Sequence, residues 1–205
     1  MTASPNAHVP DGTESGPPEV SPWDAETHEV FRLAQLVLLL SVTAEVQKPV
    51  SNVDRLGYYD FFAANPFVVI PADDTPRDRT ERLTLKLAGF TEGQLSYAST
   101  GQRWVSRRRR LQHDLSLLVA YGLVSLHDGT ITLTDSGHSI AENLATVYAD
   151  AYRTSAQLVV RRLATLSDAR LRANVQDWLG TTWLRVDLFD DVTTESGTTH
   201  QGVDR

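Results

Sequence analysis

The 205-residue chain contains no cysteine. Disulfides, thiolate zinc sites and cysteine nucleophiles are therefore excluded, and the composition suits a reducing compartment. Long apolar runs are missing too. The longest, VFRLAQLVLLLSV at residues 30–42, is interrupted by Arg32 and Gln35 and falls short of the ~20 residues of a membrane-spanning helix; it reads as a buried core helix. The first residues have neither the basic start nor the early apolar stretch of a secretion signal, so a cytoplasmic location is expected and no membrane partner.

Catalytic signatures are equally scarce. The histidines at 8, 28, 113, 127, 138 and 200 include no HExxH or other recognised ligand spacing, and there is no Walker phosphate loop and no GxSxG elbow. The carboxylate pairs Asp73-Asp74 and Asp190-Asp191 fall in polar loops, where hydration is the ordinary fate. No nucleophile is joined to a base. The reading is of a protein that is not an enzyme, with no catalytic residue, cofactor or metal.

Charge is present but unevenly placed. The formal net charge is −7; residues 1–20 and 190–205 contribute −3 each, leaving the body between them close to neutral. That acidity argues against tight non-specific DNA binding, while the body leaves room for a local basic patch. Residues 1–20 are rich in Pro, Gly, Ser and Thr and are expected to form a disordered acidic tail, as are residues 190–205.

Between the tails the chain reads as mainly α. Ser21, Pro22 and Asp24 form a capping pattern that opens a first helix through Leu40, ended by Pro49. Ser51 caps a second helix closed by Pro66, followed by a short extended FVVIP. Residues 71–100 read as a charged insertion holding a short helix around Glu81–Leu87. A long helix fits Arg103–Tyr121, with Gly122 at its C-terminal cap. Asp128-Gly129 between short apolar stretches predicts a β-hairpin. Thr134 then caps a helix whose inner face is Ile140, Ala141, Leu144, Val147 and Tyr148, running to about Thr165, and Ser167 caps a last helix stopped by Gly180. The order is that of a winged helix-turn-helix-like domain over residues 21–134, with a small β-hairpin wing. Extra long C-terminal helices over residues 135–189 are of the kind that often serve dimerisation or partner docking.

The run RWVSRRRR can be tested on a helical wheel at about 100° per residue. With Trp104 at zero, Leu111, Leu115, Leu118 and Val119 fall within about 60° and form one apolar stripe. Arg108 lands inside that stripe, its stem packing on the core edge with the guanidinium snorkelling outward. Arg109 lies at about 140°, in solvent, and Arg103, Arg107 and Arg110 cluster at about 240–300°. Asp114 shares their flank and partly cancels it. Arg103, Arg107, Arg109 and Arg110 are thus candidate nucleic-acid or partner contacts. In the aromatic YYDFFAANPF, Leu56, Tyr59 and Phe62 face one way as core. Tyr58 and Phe61 point elsewhere, either as a docking patch or packed under the insertion. Trp104, Trp178 and Trp183 read as core or interface.

Three stretches carry a family resemblance: LVLLLSVTAEVQKPVSNVDRLGYYDFFAANPFVV, STGQRWVSRRRRLQHDLSLLVAYGLVSLHDGTITLTDSGHSIAENL, and YRTSAQLVVRRLATLSDARLRANVQDWL. Together they resemble the middle component of bacterial ABC-three-component (ABC-3C) systems. The resemblance lies in a leucine-rich first helix and a Lys-Pro turn, then Leu56, Asp60, Phe61, Phe62 and Pro66. After the basic segment come Leu118, Val119, Gly122, Leu123 and Val124, and finally Leu133, Thr134, Gly137 and Ala141. SYASTGQRW stands where the family has a Tyr-Gly-Pro-like stretch. The resemblance covers about residues 30–180. It implies a non-catalytic adaptor that works with an SMC/Rad50-like ABC ATPase and an effector protein in antiviral or plasmid defence, through protein–protein interaction. The alternative reading is a dimeric winged-helix DNA-binding transcription regulator.

Overall fold

The computed structural model describes residues 28–72, 75–92 and 100–179, except the side chains of residues 100–102. Helix α1 (Glu29–Glu45) starts after an extended His28 and buries Leu33 and every residue from Gln35 to Thr43. A helix apolar on all sides is a central one. The Ser21–Asp24 opening predicted for it lies outside the described residues. At its end the Lys48 N–H donates to Thr43 O and the Gln47 N–H to Ala44 O, with Gln47 at φ +54°. This is the Schellman arrangement that ends a helix ahead of a proline.

Helix α2 (Val53–Ala64) is capped by Asn52, whose side chain accepts the Arg55 N–H at 2.7 Å, and not by Ser51 one residue earlier. Residues 55–63 of this helix are all buried. The segment read as extended FVVIP instead opens with a 3-10 turn, Pro66–Val68. Pro66 suits the first position of a helical turn, and the Asn65 side chain returns to Phe61 O at 2.9 Å. The insertion contains α3 (Pro76–Leu87), a full turn longer than the Glu81–Leu87 reading. Thr75 caps it by accepting the Asp78 N–H at 3.1 Å, with Pro76 next in line.

Helix α4 (Thr100–Ala120) is the longest described helix. It ends in a second Schellman arrangement on Gly122, at φ +70°, with Leu123 N donating to Leu118 O and Gly122 N to Val119 O. Strands β1 (Val124–His127) and β2 (Thr130–Leu133) pair antiparallel in the register Leu126 to Ile131. Asp128 and Gly129 both have positive φ, as a two-residue type I′ turn requires. Val50 adds a single antiparallel bridge to Ile131, on the side of β2 away from β1.

Helix α5 (Asp135–Asn143) is capped by Thr134, which also donates to Gly122 O at 2.7 Å. Gly137 is needed where it stands: a Cβ there would sit 2.2 Å from Leu123 O. The single helix predicted from Thr134 to about Thr165 is two. Helix α6 (Val147–Leu163) restarts at Thr146, whose side chain accepts the Ala149 N–H. Arg153 from α6 donates to Ala141 O at 2.6 Å and Leu144 O at 3.1 Å, satisfying the carbonyls the break exposes. The break reorients positions read as one inner face. Ala141 is buried, but Ile140, Val147 and Tyr148 are exposed. Helix α7 (Asp168–Leu179) follows Ser167 and buries Leu171, Val175 and Leu179.

The fold is therefore mainly helical with one small antiparallel hairpin, as the pattern predicts. One feature differs in kind. The C-terminal helices are not an appendage. Val159, Val160 and Leu163 of α6 and Leu171 and Val175 of α7 share one core with Leu39 of α1, Phe62 of α2 and Trp104 of α4, and α6 packs chiefly on α1 and α2. No described helix is long and apolar enough to cross a membrane.

Candidate functional site

Helix α4 is held on its inner side by aromatic packing and charge. Trp104, 1 % exposed, stacks on Tyr58 at 5.2 Å and meets Phe61 edge-on at 5.5 Å. Tyr58 and Phe61 are therefore core residues and not a docking patch, because α4 covers the side of α2 that carries them. Gly57 lets the helices close: a Cβ there would lie 3.2 Å from the Leu111 side chain. Val119, placed in the apolar stripe by the wheel, is exposed near the end of α4.

The arginines separate. Arg107 turns inward, its guanidinium donating to both Asp60 carboxylate oxygens, the Nη2–Oδ1 contact measuring 2.9 Å, and to Gln35 Oε1 at 2.8 Å. It is thus a bolt between α4, α2 and α1, and its assignment to an exposed basic flank is corrected. The wheel could not see Asp60, 47 residues away in sequence. Gln35 in turn donates to the Tyr148 hydroxyl, so a chain of polar groups, Asp60–Arg107–Gln35–Tyr148, ties four helices together. Such a network is worth most when every member is satisfied. Sequence reasoning missed it; the one available signal was an acid, Asp60, inside the aromatic run YYDFF.

Asp114 is likewise buried and does not share an exposed flank with the arginines. Arg32 of α1 grips it with two bonds of 2.7 and 2.9 Å, and these bonds raise the Arg32 pKa above its ordinary value. Arg108 sits at the core edge with its guanidinium out, 3.2 Å from Asp54, as its wheel position suggests. Arg109 is exposed, while Arg103 and Arg110 are half-buried; Arg110 Nε donates to Ser106 O at 3.1 Å. Of the four candidate arginines, Arg109 and Arg110 reach the surface, Arg103 has a guanidinium nitrogen buried, and Arg107 belongs to the interior.

Two further ion-pair clusters fix the frame. Arg55 donates to Asp168, to Leu166 O at 2.9 Å and to the Tyr59 hydroxyl at 3.1 Å, tying α2 to the start of α7. Arg162 on α6 holds Asp78 and Glu81 of α3, the latter at 2.6 Å. The Thr75 hydroxyl, and then Arg162, keep the Asp78 carboxyl below the usual carboxylate range.

An open cleft of about 300 Å³ lies between α1, α5 and α6, lined by Ser41, Glu45, His138, Glu142 and Arg153. Its polar groups are engaged locally, Glu45 by Gln157 at 3.3 Å and Arg153 by the α5 carbonyls. Among the described residues no group of three or more His, Asp or Glu is placed to hold a metal ion. Exposed apolar side chains fall in distinct places: Val30 at the start of α1; Val147 and Tyr148 at the start of α6, the Tyr148 ring 5.1 Å from that of Phe31; Leu83 and Leu87 on α3; and Tyr121 and Leu126 near the hairpin. Asp73-Asp74, Asp190-Asp191, Trp183 and both expected tails lie outside the described residues.

No protein-family model, curated protein or solved structure matches the chain.

Proposed function

We propose that the chain is a non-catalytic adaptor that bridges an SMC-like ABC ATPase and an effector protein in a defence complex against phage or plasmids. The reading starts from the sequence resemblance to ABC-3C middle components. Its motif residues fall at joints of the fold: Asp60 on Arg107, Gly122 in the left-handed turn and Gly137 against Leu123.

The observation that carries it is a pair of exposed apolar faces at opposite ends of α6. Val30 and Val147, 77 % and 88 % exposed, stand at its N-terminal end. At its C-terminal end Arg162 holds α3, which turns Leu83 and Leu87 outward, 58 % and 80 % exposed. The 17-residue helix between the two ends is about 24 Å long at 1.5 Å per residue. Contiguous exposed apolar patches mark contact surfaces, and a bridging protein needs two.

The test is co-purification from the native host. The unsubstituted chain is expected to bring down both an ABC ATPase and a second protein. V30D/V147D is expected to lose one of them and L83D/L87D the other, with unchanged melting, since exposed substitutions shift stability by only about 0.5 kcal/mol. Recovery of neither partner with the unsubstituted chain, or of both with each variant, contradicts the proposal. A dimeric DNA-binding regulator is the other reading; the outer face of α4 is what speaks for it.

A further inference from the structure

We infer that the outer face of α4 contacts duplex DNA, through Ser106, Arg109, Gln112, His113 and Ser116 and not through the Arg103–Arg107–Arg110 flank. All five side chains are exposed. With Arg109 at zero they fall within about 60° on either side, at 100° per residue. They span about 15 Å of helix at 1.5 Å per residue, comparable to the ~12 Å width of the major groove. Val105, one turn before Arg109 on the same side, is buried, so the face begins at Ser106.

The chemistry of the stripe is that of base edges: a guanidinium, an amide, an imidazole and two hydroxyls. Arginine pairs with guanine and glutamine with adenine through two hydrogen bonds each. The cations beside it fall on both sides, Arg110 at about +100° and Arg108 at about −100°, as phosphates flank a groove. The only acid of α4, Asp114, is withdrawn into the core by Arg32. Glu29 lies 3.5 Å from His113 at the edge of the stripe.

The acidity of the whole chain does not oppose this. Residues 28–72, 75–92 and 100–179 carry 17 Lys and Arg against 14 Asp and Glu, a balance of +3, so the net −7 arises from the remaining residues. The hairpin that follows α4, with Val50 bridged to Ile131, is the wing arrangement in which the helix before the wing meets the groove. The inference rests on that geometry and not on the adaptor reading.

The experiment is fluorescence anisotropy of the full chain with pooled 20-base-pair duplexes, from 50 to 200 mM salt. Binding at 50 mM is expected, with a log–log salt slope near −3 for about three phosphate contacts. Arg109→Ala and Gln112→Ala are expected to weaken binding to the preferred sequences about tenfold or more each and to flatten the sequence preference. Arg110→Gln is expected to weaken all sequences alike and reduce the slope by about one. Arg161→Gln, on the exposed side of α6, is the control and leaves binding unchanged. Thermal melting of each variant separates lost contacts from lost fold. No binding at 50 mM salt, or unchanged binding by R109A/Q112A with normal melting, overturns the inference. So does loss of a co-purifying protein, in place of duplex, when Arg109 is substituted. Co-purification of the unsubstituted chain with an ATPase is read separately, so the adaptor reading and this one can fail independently.

Discussion

The two sides of α4 use the same residue type in opposite ways. On the inner side Arg107 is locked between Asp60 and Gln35; two residues further on, Arg109 stands in solvent. The inner side also holds Trp104 and Asp114, each pinned by a partner on α2 or α1. The outer side holds polar groups and no carboxylate of its own helix. A run of four arginines is therefore not one basic patch. Helix periodicity deals it out, and partners distant in sequence decide which arginine becomes structural.

The sharpest way to break this division is to remove its aromatic centre. Trp104→Ala is expected to cost about 3–5 kcal/mol, the range for truncating a buried tryptophan, measured by denaturant unfolding. Next comes the joint that fixes the far end of α4. Gly137→Ala forces a Cβ against Leu123 O and is expected to cost about 1–3 kcal/mol as an overpacked site, read in the same unfolding measurement. Asn52→Ala removes the α2 cap for about 1 kcal/mol and should leave any duplex binding by α4 intact, which sharpens the separation of scaffold from surface.

The smallest effect concerns acid. Asp78 titrates below its ordinary value when folded, so its contribution is fully present above the ordinary carboxylate range and is lost as pH falls through the lowered folded value. An acid titration followed by circular dichroism should therefore show less acid sensitivity in Asp78→Asn than in the unsubstituted chain, at some loss of stability at neutral pH.

Much of the frame was legible because its signals are local. Asp128-Gly129, the Thr134 cap and Gly122 each declare a backbone conformation to their immediate neighbours. What stayed hidden depends on distant partners. The break between α5 and α6 sits in an unbroken apolar pattern, and Arg153 reaching back to Ala141 and Leu144, with the Thr146 cap, makes it tolerable. Tyr58 and Phe61 look outward on a wheel of α2 alone, yet α4 covers them. The start of α3 is marked by Thr75-Pro76 followed by Asp78, a capping pattern set among charged residues that show no apolar periodicity. For the candidate site, exposure of Arg109 followed from the wheel, whereas burial of Arg107 and Asp114 required Asp60 and Arg32, 47 and 82 residues away.

The division of α4 is tested most directly by urea unfolding of Arg107→Met beside Arg109→Met. Removing Arg107 strands a buried Asp60 carboxylate, and a loss of about 3–5 kcal/mol is expected for breaking a buried pair, against a change within about 0.5 kcal/mol for Arg109. Equal losses in the two variants, or a larger one for Arg109, would contradict it.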